Sequence, residues 1–307
     1  MKRRKIYKAI VVTGFCLLGL SCTKEVEQSV TLYYSDIEGM YLIPVTATMK
    51  LRGDLKNIQK PGEIVPILMK LEEPLKANLR VCIPKETTFS DIELDKDKKQ
   101  ISLKIESKKA RLGDREEELM IGAIVNTLTD LKEFNSVKIN PGNLKTEMDY
   151  SEPISRDSYR NQWLMSDATD DKKSIGVVYW YTKDKSYIVP INVNIVKNDV
   201  TSLLNILKKG PQGYSKNYLQ NTIDPSLDII IKAVNLNHID IELKSKSNLK
   251  TEVYNVAKQA ILLSILELNV FDTVKLVTPD MNEEIINLRE VNLKENLNKV
   301  DLLVKND

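Results

Sequence analysis

The stretch Ile175-Gly176-Val177-Val178-Tyr179-Trp180-Tyr181-Thr182-Lys183-Asp184-Lys185-Ser186-Tyr187-Ile188-Val189-Pro190-Ile191 decides the fold, because the chain contains an earlier version of it. Near the start stands Val30-Thr31-Leu32-Tyr33-Tyr34-Ser35-Asp36-Ile37-Glu38-Gly39-Met40-Tyr41-Leu42-Ile43-Pro44-Val45. Tyr33-Tyr34 falls on Tyr179-Trp180, and Tyr41 to Val45 falls on Tyr187 to Ile191, both at an offset of 146. A second pair of landmarks closes each copy. Phe134-Asn135-Ser136-Val137-Lys138-Ile139 answers Phe271-Asp272-Thr273-Val274-Lys275-Leu276 at an offset of 137, with Ala123-Ile124-Val125 on Ala260-Ile261-Leu262 before it. The second copy is therefore shorter inside by nine residues (146 − 137). A unit this long is a duplicated domain, not a solenoid repeat.

Within each copy the periodicity predicts the order ββαββαβ. Residues 31–35 and 41–49 alternate as a hairpin around Glu38-Gly39. Pro44 belongs at an edge or bulge, since it has no N–H to give a ladder. Residues 63–71 have apolar side chains at helical spacing. Residues 87–94 and 100–106 read as strands. Asp114 opens a helix whose first-turn acids suit the dipole, and 136–140 is a short strand. The second copy predicts strands at 177–181, 187–196, 227–234, 239–243 and 273–277, with helices at 200–207 and 251–268. A further strand at 285–291 is expected to mirror 143–150. The fold class is α+β: two tandem ββαββαβ-type domains, each a mainly antiparallel sheet on two helices. The boundaries fall at 30–155 and 174–300, with a polar linker, 156–173, in which Trp163-Leu164-Met165 docks on one domain.

Residues 1–21 read as a lipoprotein signal peptide. Five basic residues precede an apolar run, Ala9 to Leu20, which is short for a spanning helix. Leu18-Gly19-Leu20-Ser21-Cys22 resembles a bacterial lipobox, which makes Cys22 the lipid-attachment residue; Gly19 departs from the usual pattern. Residues 22–29 read as a polar tether. Loss of Cys16 with the signal and acylation of Cys22 leave Cys82 alone, so no intramolecular disulfide forms. Cys82 reads as a small buried hydrophobe. Without the leader the chain carries 40 basic against 43 acidic residues, which gives no electrostatic case for nucleic acid.

The side-chain inventory argues against an enzyme. The only histidine, His238, precedes a strand and has no partner pattern for a metal or a nucleophile. No phosphate-binding glycine motif occurs. Glu93, Asp95 and Asp97 fit a solvated strand end. An active site would need a polar cleft with convergent acids between the copies. Catalytic residues, metal and cofactors are accordingly expected to be none. Tyr33-Tyr34-Tyr41 and Tyr179-Trp180-Tyr181-Tyr187 are the distinctive surface candidates. Half of each set faces the core. The other half offers a platform for sugar rings, a protein interface, or cross-strand packing.

These features resemble the spore-germination GerM family of lipoproteins with two tandem GerMN domains. The residues that carry the resemblance are Tyr33-Tyr34 through Val45, Ile83-Pro84-Lys85-Glu86-Thr87-Thr88, Ala123 to Thr129, Val137-Lys138-Ile139, and Leu207-Lys208-Lys209-Gly210-Pro211. Two departures stand out: Glu73-Pro74 where the second copy has Gly210-Pro211, and Asp224-Pro225 where the first has Ile83-Pro84. The resemblance implies a non-enzymatic lipoprotein anchored on the outer face of the cell membrane. It implies a scaffold in sporulation and germination that binds envelope proteins. Peptidoglycan binding and service to a signalling kinase are the alternatives.

Overall fold

The computed structural model describes residues 25–52, 54–55, 58–70, 78–108, 112–131, 133–156, 173–196, 199–278, 282–290 and 297–298. The signal peptide, Cys22, Glu73-Pro74 and Trp163-Leu164-Met165 lie outside them.

The first copy opens with a long hairpin, β1 (Glu25–Asp36) and β2 (Leu42–Arg52), paired without interruption from Glu25↔Arg52 to Ser35↔Leu42. Glu25 to Ser29 thus belong to a strand, not to the tether expected at 22–29. Their polar sequence hides this, because it is the pairing with Met49 and Leu51 that holds them. Then follow α1 (Pro61–Met69), β3 (Leu79–Arg80), β4 (Thr87–Asp95), β5 (Gln100–Ser107), α2 (Asp114–Thr129), β6 (Ser136–Asn140) and β7 (Ile154–Ser155). The second copy runs β8 (Lys173–Thr182), β9 (Ile188–Val196), α3 (Val200–Lys209), β10 (Leu219–Gln220), β11 (Leu227–Val234), β12 (His238–Ser245), α4 (Thr251–Leu268), β13 (Thr273–Val277) and β14 (Glu283–Asn287).

The strands of each copy divide into two sheets. One is three-stranded, β2-β1-β3 or β10-β8-β9, and the other four-stranded, β4-β5-β6-β7 or β11-β12-β13-β14. All pairs are antiparallel except β5-β6 and β12-β13, whose crossovers are α2 and α4. Ile101, Leu103 and Ile105 alternate inward on β5, and Ile239, Ile241 and Leu243 do so on β12. Pro44 and Pro190 both sit on edge strands, where a missing N–H breaks no ladder.

The register places the nine lost residues. The helix C-caps Lys70 and Gly210, and the starts of β4 and β11, stand 140 apart (210 − 70, 227 − 87). Strands β5 and β12 stand 138 apart and β6 and β13 137 apart. Six residues are thus missing between the hairpin and the first helix, two in the β11–β12 hairpin and one before α4. The counterpart of Gly210 is Lys70, not Glu73, and that of Pro84 is Asp224. The last strand, β14, begins at Glu283, and its first-copy counterpart is β7, which likewise pairs beside the parallel strand. Residues 143–150 are not a strand, because their side chains are spent on α2. The hydroxyls of Thr146 and Tyr150 both donate to the buried carboxylate of Glu117.

Candidate functional site

The two copies meet at Arg156. Tyr33 on β1 and Tyr179 on β8 are equivalent residues, and Asp130 at the end of α2 and Glu267 at the end of α4 are equivalent too, at offsets of 146 and 137. The Tyr33 hydroxyl donates to Asp130 Oδ2 at 2.9 Å, and the Tyr179 hydroxyl donates to Glu267 Oε1 at 2.8 Å. Both pairs converge on one guanidinium. Arg156 Nη2 bonds the Asp130 carboxylate, donates to the Tyr33 hydroxyl at 3.1 Å and to the Asn126 carbonyl at 3.2 Å. Its Nη1 lies 3.7 Å from Glu267.

Helix electrostatics explain why a cation belongs there. A carboxylate at a helix C-terminus meets the negative end of the dipole. Neither α2 nor α4 carries a basic residue in its last turn. Arg156 supplies the missing charge to both helices at once. Burial opposes its ionisation, but Asp130, Tyr33 and Glu267 hold the guanidinium well above its ordinary pKa. Burial likewise pushes both tyrosine hydroxyls well up, and the neighbouring carboxylates add to the shift. The phenols stay protonated and serve as donors.

A second clasp closes the same seam. In the β1-β2 and β8-β9 ladders the C=O groups of Pro44, Thr46, Ile188, Pro190 and Asn192, and the N–H groups of Thr46, Ile188 and Asn192, point out of the sheet edge. Residues 297–298 lie between the two edges. Asn298 Nδ2 donates to the carbonyls of Pro44 and Ile188, both at 2.7 Å, and its Oδ1 accepts from Ile188 N–H at 2.8 Å. Thr46 N–H donates to the Leu297 carbonyl at 3.1 Å, and the Leu297 side chain is fully buried. One side-chain amide thus imitates a strand for both copies.

The aromatic residues do not form a surface platform. Tyr33, Tyr34, Tyr41, Tyr179, Trp180 and Tyr187 are all buried, and only Tyr181 is half-exposed. In the second copy α3 and α4 both pack on the hairpin, and in the first copy α2 packs on it, which sequence alternation alone does not reveal. His238 stands at a strand end as expected. Its Nδ1 is 2.6 Å from Thr273 Oγ1 and its Nε2 2.6 Å from Asp240 Oδ1. That order is the order of a nucleophile relay, but Gln100, Ser136 and Ser102 stand at the equivalent places of the first copy and carry no base. Burial pushes the Cys82 thiol up to about 12, so it is inert as a nucleophile. Asp95 is held below the carboxylate range by Lys98 in a solvated turn. Asp130 and Glu267 do converge between the copies, yet Arg156 neutralises them in a buried cluster in place of an open acidic cleft. Among the described residues no group of His, Cys, Asp or Glu could hold a metal, and no helix is long and apolar enough to cross a membrane.

Residues 31–143 match the family model described as Germane: sporulation and spore germination. That match spans most of the first copy. The tandem GerMN domains of the sporulation protein GerM from Bacillus subtilis align with 90% of this chain and 100% of their own, at 17% identity and a TM-score of 0.60. The tandem GerMN fold therefore extends over both copies. A putative lipoprotein from Clostridium perfringens aligns over 44% of this chain and 90% of its own, at 15% identity, but its TM-score of 0.28 carries no weight. No curated protein matches the sequence. The Arg156 cluster escapes a sequence reading because a lone arginine in a polar segment looks solvated. The two offsets did hold the signal, since they make Asp130 the counterpart of Glu267.

Proposed function

We propose that this Germane-domain protein is a non-enzymatic, lipid-anchored scaffold of sporulation and spore germination that binds partner proteins of the cell envelope. The match of residues 31–143 to the sporulation and germination family carries the reading. The tandem fold supports it, because the copies are locked together by Arg156 and Asn298 into a body that suits holding partners in fixed relation. Diacylglycerol on Cys22 is the anchor. The first strand begins at Glu25, so three residues, at most about 10 Å of chain, separate the lipid from the folded body. The scaffold then works against the membrane surface, not at the end of a leash. A glycan-binding module is less well supported, since the aromatic rings that would stack on sugars are buried.

Crosslinking and affinity capture of the tagged protein from cells sampled through sporulation tests this. Enrichment of envelope proteins from the mother-cell and forespore boundary supports the scaffold. Recovery of glycan fragments alone, or of sensor kinases alone, replaces it with wall binding or signalling. Expression confined to vegetative growth removes the sporulation role.

A further inference from the structure

Helix α3 packs on the β8-β9 hairpin and leaves a cleft of about 250 Å³ beside β9. Trp180, Ile191, Val193 and Ile206 make it apolar, and Lys209 and Gln212 stand at its rim. Val193 and Ile206 are partly exposed and the two rim residues are exposed, so the cleft opens to solvent. The carbonyls at the end of α3 are already bonded. Gln212 Nε2 donates to those of Lys209 and Gly210 at 3.1 and 3.0 Å, and Asn221 Nδ2 donates to that of Lys208 at 2.8 Å. The partial negative charge of a helix C-terminus is thereby offset at the rim. Cations remain. In the second copy Lys208, Lys232, Lys244, Lys246, Lys258 and Lys275 each stand in an ion pair. Among the described residues Lys209 and Lys216 have no such partner, and neither has Lys183, whose Nζ lies 3.1 Å from the Lys216 carbonyl. No acid lines the cleft. The first copy has Tyr34, Pro66 and Met69 at the places of Trp180, Ile206 and Lys209, and Met69 is buried. The exposed cation at the rim therefore belongs to the second copy.

We propose that this cleft is the docking site for an acidic segment of a partner protein, which sets one bulky apolar side chain over Trp180 and its carboxylates against Lys209 and Lys216. The two halves of the site make separate demands. The apolar walls gain from a side chain that leaves water, and an anchor buried in a pocket is the usual centre of an interface. The unpaired lysines at the rim favour a partner of opposite charge and speed its approach. A cationic segment meets repulsion at the same rim, so the site discriminates by sign as well as by shape. This rests on the partner-binding reading above and deepens it by giving the partner's chemistry.

The probe is an end-blocked pentapeptide with a central leucine between two aspartates on each side. It is titrated into the purified full-length chain carrying Trp163→Phe, which leaves Trp180 as the one tryptophan. A saturable change in Trp180 emission is expected. The peptide with alanine in place of leucine should bind about tenfold more weakly, which reads the apolar cleft. Lys209→Glu, a change at an exposed position, should weaken the leucine peptide about tenfold, which reads the rim. Leucine flanked by lysines should not bind. Anisotropy of the labelled peptide on the unaltered chain gives the same reading without the Trp163 substitution. No saturable binding at millimolar peptide, equal affinity of the alanine peptide, or unchanged affinity with Lys209→Glu overturns the proposal. Envelope proteins captured from sporulating cells while the peptide fails would remove this site and leave the scaffold standing. Peptide binding with no envelope protein captured would do the reverse.

Discussion

Asp130 and Glu267 occupy the same place in the two copies, and both carboxylates face the guanidinium of Arg156. A duplication has thus brought two like charges to a pseudo-symmetric seam, and one asymmetric residue from the connecting segment neutralises both. Removal of Arg156 leaves two buried acids facing each other at helix C-termini. Arg156→Ala is expected to destabilise the fold by about 3 kcal/mol or more, the usual scale for breaking a buried pair. Urea unfolding with tyrosine fluorescence measures it. The combination of Arg156→Met with Asp130→Asn and Glu267→Gln should recover much of the loss, because no uncompensated charge remains.

Asn298 tests the seam in a different way. Asn298→Ala removes three hydrogen bonds, whereas Asn298→Asp keeps the one from Ile188 N–H but replaces both donated bonds with a carboxylate oxygen set against the carbonyls of Pro44 and Ile188. The aspartate variant should be the worse of the two, although it is the closer in shape. The expected cost is about 1–3 kcal/mol for the acceptors and donors left unpaired. Calorimetry should show the transition broaden or split as the copies uncouple, and a single sharp transition in both variants would refute a coupling role.

Much of this fold was legible because its signals are local. The strand alternation of β5 and β12, the caps of α2 and α3, and the doubled hairpin can all be read within a few residues. Asp199 accepts from Thr201 N–H at 2.9 Å, and Gly210 closes α3 at a φ of 72°. What escaped depends on distant partners. Glu25 to Ser29 look like a tether until Met49 and Leu51 pair with them. The aromatic residues look half-exposed until helices from further along the chain pack on the hairpins. Residues 143–150 look like a strand until Glu117 claims Thr146 and Tyr150. The candidate site is the extreme case, since Arg156, Asp130, Glu267 and Asn298 come from four separate segments.

The turn at Asp184 makes a pH prediction. Partial burial disfavours its charge, but the hydroxyls of Ser186 and Thr182 and the Ser186 N–H outweigh that and lower its pKa. A carboxylate with a depressed folded pKa contributes stability above its unfolded value, about 3.9, and loses it as the pH falls through the lower folded value. Asp184→Asn should therefore flatten the acid limb of the stability profile below about pH 4 and leave its shape at neutral pH unchanged. Unfolding midpoints measured from pH 2 to 7 decide it; parallel curves for the two proteins would refute the assignment.

Gly176 makes the last prediction, on packing. A Cβ there would lie 2.8 Å from Leu203 Cδ1 and 3.0 Å from Ile195 Cδ1, and both neighbours are fully buried. The glycine is needed because α3 presses Leu203 onto β8 at that point, whereas its first-copy counterpart is Val30. Gly176→Ala should cost about 1–3 kcal/mol through overpacking, and Leu203→Ala about 2–5 kcal/mol through the cavity it leaves. In the double variant the added methyl occupies part of that cavity, so the combined loss should fall short of the sum of the two. Strict additivity in chemical unfolding would show that the two residues do not share the space.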